Sequence, residues 1–231
     1  MLISRALPPG AVGEDALGEP ASGAYAALFP AEAREVERAG EKRRREFAAA
    51  RRCAHRALAA LGLPAAPLLP GPDGAPVWPP GVTGSITHCD GYRAAAVART
   101  DAVARLGIDA EPNAPLPRSV RHGITSPTER AHLRRLDAVR PDVHWDRLLF
   151  SAKEAFYKAS AAAAHRPLRF DDAEVTFREE AGAFGTAGAV GTFTVRRGSS
   201  GAADGDGPHP TGNWHAAHGF LVTAVAVPAR A

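Results

Sequence analysis

Apolar positions recur at three- and four-residue steps between residues 31 and 61, where Val36, Phe47, Ala50, Ala54, Leu58 and Leu61 share one side. That spacing predicts a long helix, ended by Gly62 and Pro64. A loop rich in Pro and Gly covers 64–81. The pattern then shortens to runs at 83–87, 94–98 and 106–111, each of strand length and set apart by polar or turn-forming residues. Ser126-Pro127-Thr128-Glu129 opens a second helix, with a capping hydroxyl, a proline at the first helical position and an acid at the third. A third helix is expected over 146–164, its apolar stripe formed by Leu149, Phe150, Phe156 and Tyr157. Strands are expected at 173–177, 189–195 and 220–227, with 198–213 a loop because of its Gly, Pro and Asp. Helix followed by three strands therefore occurs twice, which makes the class α+β.

Composition narrows the picture modestly. A chain of 231 residues with 45% hydrophobic content can bury a core as one large domain or two small ones. The net charge is only +3 with a pI near 9.2, so anionic partners are expected at patches. The opening residues lead into Pro8, Pro9, Glu14 and Asp15 and do not read as a signal peptide. The longest apolar run, 220–227, is too short to span a bilayer. Cys53 and Cys89 lack metal-binding spacing, and a reducing cytoplasm is the expected setting.

The chemistry concentrates in two segments. On a strand, Asp109 and Glu111 point the same way, and on a helix Glu154 and Lys158 share a face. Oxygen donors of this kind suit a hard cation such as Mg2+ that is shared with substrate phosphates. Spacing alone leaves two other readings open, a solvated strand edge and a surface ion pair.

The order Gly107-Ile108-Asp109-Ala110-Glu111, then Phe150-Ser151-Ala152-Lys153-Glu154 and Lys158, resembles the signature pair of the Sfp-type 4'-phosphopantetheinyl transferases. Gly84-Ser85-Ile86-Thr87-His88 precedes it where that family has its Ser/Thr-His motif. Arg45-Glu46-Phe47, Arg51 and Gly74-Ala75-Pro76-Val77-Trp78-Pro79 make the resemblance closest to the branch serving enterobactin-like siderophore synthetases. The resemblance implies two similar halves, 1–108 and 109–231, related by a pseudo-twofold, each a small three-stranded sheet packed with helices. Coenzyme A would lie in the cleft between them.

It further implies transfer of the 4'-phosphopantetheine arm from coenzyme A to a serine of an apo acyl or peptidyl carrier protein, with adenosine 3',5'-bisphosphate leaving. Polyketide, nonribosomal peptide or siderophore synthesis would be the setting. Asp109, Glu111 and Glu154 match the family's metal carboxylates, for Mg2+ or Mn2+. Glu154 is expected to accept the serine proton, directly or through a bound water. Lys158 would meet the diphosphate, and Lys153 would assist from the flank or stand solvated. Ser85, Thr87 and His88 would contact a phosphate monoester, unless His88 is simply a core histidine. Arg51 matches the arginine on the 3'-phosphate. The loop before Gly74 lacks the basic residue common in relatives, so Arg44 or Arg45 would substitute. The 112–135 segment, with Arg118, Val120, Arg121 and Ile124, would meet the carrier.

Two other functions compete. Arginine stripes along 42–56 suggest nucleic acid, but aromatic content of 6% and the carboxylates oppose it. A non-catalytic relative that only binds coenzyme A or a carrier is opposed by the intact acid set. The length argues for a monomer containing the whole site rather than the half-length trimeric type.

Overall fold

The computed structural model describes residues 1–20, 23–160, 169–179, 188–197 and 209–229. Strands β1 (Ala11–Leu17), β2 (Val82–Cys89) and β3 (Tyr92–Arg99) form an antiparallel sheet in the order β1-β3-β2. A second antiparallel sheet is built from β4 (Val103–Pro112), β5 (Ala173–Glu179), β6 (Ala189–Arg197), β7 (Thr211–Ala217) and β8 (Phe220–Pro228), ordered β4-β8-β7-β6-β5. The helices are α1 (Pro30–Glu35), α2 (Glu41–Ala60), α3 (Arg118–Ile124), α4 (Pro127–Val139) and α5 (Trp145–Ser160).

These elements stack in layers. Helix α2 covers one face of the small sheet through Cys53, Ala54, Ala57 and Leu58 against Ala95 and Val97. The opposite face, with Tyr92, Ala94, Ala96 and Ala98, meets Leu106, Ile108, Val222 and Ala224 of the larger sheet. Helix α5 seals the far side of that sheet with Leu148, Leu149, Ala152 and Phe156. The N-terminal segment joins the seam between the sheets: Leu2, Ile3 and Ala6 are buried there, Asn213 Nδ2 donates to Ala6 O at 3.2 Å, and His215 Nδ1 to Leu2 O at 3.3 Å.

The α+β plan with two antiparallel sheets stands as expected, but the strand counts differ. Strand β4 turns away from β3 to pair with β8, and β1 takes the vacated place in the small sheet. The helix expected over 31–61 is broken between Glu35 and Glu41, with Gly40 as the N-cap of α2. Ser126 caps α4 as read, its hydroxyl accepting from Glu129 N at 3.1 Å. Strand β7 occupies part of the expected 198–213 loop; residues 198–208, and 161–164 of the expected third helix, lie outside the described residues.

Candidate active site

Strand β4 is an edge strand of the larger sheet, so its outward backbone groups need partners from elsewhere. Two hydroxyls on β2 supply them, Ser85 Oγ accepting from Ile108 N at 3.1 Å and Thr87 Oγ1 from Ala110 N at 3.2 Å. A two-residue spacing on β2 thus matches a two-residue spacing on β4. Both side chains are buried, and in this structure both hydroxyls serve β4. Thr87 Oγ1 also donates to Asp109 Oδ1 at 3.1 Å, which fixes that carboxylate.

From the other side, Lys158 Nζ reaches Asp109 Oδ1 at 2.7 Å and Ile108 O at 3.1 Å. Among the described residues, Asp109 Oδ2 is left buried with no hydrogen-bond partner. Two residues along β4, Glu111 Oε2 accepts from Arg147 Nη1 at 2.9 Å. Glu154 lies on α5 between Arg147 and Lys158, and among the described residues it makes no hydrogen bond. Burial raises its pKa above the ordinary 4.5, the Asp109 charge adds to this, and Lys158 opposes it. Glu111 is raised in the same way by burial and then by Asp109, against the pull of Arg147.

Among the described residues, no three acids, histidines or cysteines close on one point as a finished metal cage. The donor set nevertheless fits a hard cation that keeps water and shares phosphate oxygens. An orphaned buried carboxylate oxygen lies near two further carboxylates whose charges its own field disfavours, and a cation would relieve all three.

A cationic group stands on the α2 side. Arg43 Nη1 lies 3.1 Å from His88 Nε2, and His88 is held below its ordinary value by burial and then by Arg43. Phe47 and Arg51 follow Arg43 at four-residue steps, and the Arg51 guanidinium stacks on Phe47 at 4.5 Å. Arg51 itself is buried, its Nε donating to Leu68 O at 3.1 Å and lying 3.9 Å from Glu32 Oε1. Glu32 is a fully buried hub that also accepts from His55 Nε2 at 2.8 Å, Leu68 N at 2.9 Å and Phe29 N at 3.2 Å. Burial alone would raise its pKa, yet His55 and the two backbone N–H groups hold it below 4.5.

Three expected contacts are corrected. Lys153 is 1% exposed, and its ammonium donates to Ile124 O, Phe170 O and Glu129 Oε2 at 2.8, 2.9 and 3.0 Å. It lies five positions before Lys158, which at about 100° per residue turns it well away from the face of Lys158. Arg44 binds the connection between α1 and α2 instead, donating to Ala39 O at 2.7 Å and Glu37 O at 2.8 Å. Ile124 is buried rather than presented to a carrier, whereas Arg118 and Val120 are exposed on α3.

Arg43 is one of the arginines of the 42–56 run, where the sequence assigns it no site role of its own, and Arg147 lies outside the motifs the sequence offers. Their signal was helical spacing: Arg43 precedes Arg51 by eight residues, and Arg147 precedes Glu154 by seven, so each pair falls on one stripe.

The chain is similar to known proteins along its whole length. Residues 31–98 match the 4'-phosphopantetheinyl transferase N-terminal domain and residues 105–206 the 4'-phosphopantetheinyl transferase superfamily. It is 49% identical to 4'-phosphopantetheinyl transferase Svp of Streptomyces mobaraensis over 234 residues, covering 100% of this chain and 91% of that relative. Over 213 residues it is 43% identical to 4'-phosphopantetheinyl transferase PptT of Mycobacterium tuberculosis, covering 87% and 91%. Enterobactin synthase component D of Salmonella typhi matches at 34% over 140 residues, covering 60% and 56%.

Proposed function

The chain belongs to the 4'-phosphopantetheinyl transferase superfamily, and from that premise we propose how its residues divide the reaction. It transfers the 4'-phosphopantetheine arm of coenzyme A to a serine hydroxyl of a carrier protein domain. The serine Oγ bonds to the phosphorus on the pantetheine side, the bond from that phosphorus to the bridging oxygen breaks, and adenosine 3',5'-bisphosphate leaves.

Glu154 takes the serine proton. Its lack of a hydrogen-bond partner and its raised pKa are what support this role. Asp109, Glu111 and Glu154 would hold Mg2+, or Mn2+, which when bound offsets the charge that builds on the diphosphate. Lys158, with its side chain partly exposed, adds a fixed positive charge beside Asp109. His88, Arg43 and Arg51 hold the 3'-phosphate end. Arg43 and His88 repel one another when both are charged, so an anion bound against the pair is favoured. Ser85 and Thr87 serve this site by fixing β4.

The division falls along β4, with 1–108 supplying the nucleotide-binding cations and 109–231 the acids, coenzyme A lying in the cleft between them. Since both sets come from one chain, we read the active form as a monomer. Arginines of α2 paired with Glu14, Glu32 and Glu41 support a role other than nucleic-acid binding. No helix among the described residues is long and apolar enough to cross a membrane. Free Cys53 and Cys89 support a cytoplasmic setting. Carrier domains of polyketide, nonribosomal peptide or siderophore synthases are the proposed partners, docking on α3 through Arg118, Val120 and Arg121.

The observation that carries this assignment is that Glu154, which makes no hydrogen bond among the described residues, lies within the field of Asp109, whose Oδ2 is orphaned. Incubation of an apo carrier domain with coenzyme A and Mg2+ should add one phosphopantetheine by mass spectrometry. Excess chelator should abolish transfer, and Glu154→Gln should lower turnover at least a hundredfold, within the range of general acid–base catalysis. Near-normal turnover of that variant would remove Glu154 from both roles.

A further inference from the structure

Arg147 spends its entire guanidinium on one short stretch of chain. Nη1 donates to Glu111 Oε2 at 2.9 Å, Nε to Ala114 O at 3.1 Å and Nη2 to Pro115 O at 3.1 Å. The preceding residue, Asp146, adds Leu116 N at 3.4 Å, so the first turn of α5 grips the whole exit from β4. An exposed ion pair contributes little by itself. This one is different in kind, because both side chains are four-fifths buried and the same fork holds two backbone carbonyls. Glu111 stands at the last residue before Pro112, where the strand ends, and only Oε2 is tied down.

We propose that Arg147 is a positioning residue that fixes the Glu111 carboxylate for the cation. One oxygen is anchored, and Oε1, within the field of Asp109, makes no hydrogen bond among the described residues. The inference rests on the reading of Glu111 as a metal ligand given above. Arginine suits this task because it stays charged at every working pH and its planar fork holds carboxylate and carbonyls at once. Hydrogen-bond partners of ligating carboxylates typically change metal affinity by about 10- to 100-fold when removed.

The test is Mn2+ affinity of the full chain with coenzyme A, read from the free Mn2+ signal by electron paramagnetic resonance. Arg147→Gln should weaken Mn2+ binding about tenfold or more, and Glu111→Gln should weaken it too. In the Glu111→Gln background the second change should have little further effect, since Arg147 acts through that carboxylate. Where Arg147→Gln fails to fold, Arg147→Lys decides. It keeps the charge but reaches fewer of the three acceptors, and should bind Mn2+ more weakly than the parent. Wild-type affinity in a folded Arg147 variant, with Glu111→Gln weakened, overturns the role of Arg147 alone. An equal loss with and without Glu111 does the same. Unchanged affinity in Glu111→Gln overturns the ligand reading beneath it.

Discussion

Lys153 and Lys158 stand on one helix and serve opposite purposes. Lys158 reaches the acids, whereas Lys153 forms a buried pair with Glu129, whose Oε1 also accepts from Val175 N at 2.8 Å. Removing one member of such a pair strands a charge, at a cost of roughly 3–5 kcal/mol. Lys153→Ala should lower unfolding free energy by that order in urea titration, while the coenzyme A KM of the folded enzyme stays unchanged. A raised KM with unaltered stability would return Lys153 to the phosphate site. The sequence displayed two lysines at motif spacing but not the partner, because Glu129 comes from α4, 24 residues earlier. Ser85 and Thr87 teach the same lesson. Their hydroxyls were legible as polar chemistry, whereas the edge amides they satisfy appear only once β4 is seen to leave β3 for β8.

At the level of elements, Gly107 decides how closely β4 and α5 approach. A Cβ there would overlap the Ala155 carbonyl oxygen and stand 2.5 Å from Ala159 N, so any side chain pushes the helix away. Asp109 and Glu154 lie on the two sides of this contact, and α5 would carry Glu154 out of place. Gly107→Ala should therefore lower both the melting temperature and turnover. Gly123→Ala in α3 meets nothing within 4 Å and should be neutral or stabilising by up to about 1 kcal/mol. Equal melting and turnover in Gly107→Ala and the parent would show the close approach to be dispensable. Glycine also explains the two strands that pattern reading passed over. Gly13 in β1 and Gly212 in β7 look like turn signals. In fact Gly13 leaves room for Ile3 and Leu7, and Gly212 for the Phe193 ring and Ala224 O. The start of α4, by contrast, is readable to the residue from its Ser126 cap.

On the scale of the molecule, the two-sheet α+β plan was legible because helix and strand periodicities repeat along the chain. The distribution of strands was not, since exchanging β4 for β1 depends on pairing across long separations. That topology sets the order in which the molecule can be completed. Residues 2–6 leave the ribosome long before β7, yet Ala6 and Leu2 bond Asn213 and His215, which lie 207 and 213 residues downstream. Contacts so far apart form late, after the chain entropy of the intervening loop has been lost. In pulse-labelled refolding, the amides of Ile3 and Ala6 should gain protection in the final phase, with those of β2 and β3 protected sooner. A nascent chain stopped before β7 would leave residues 2–6 undocked, so the seam between the sheets is closed only once β7 has emerged.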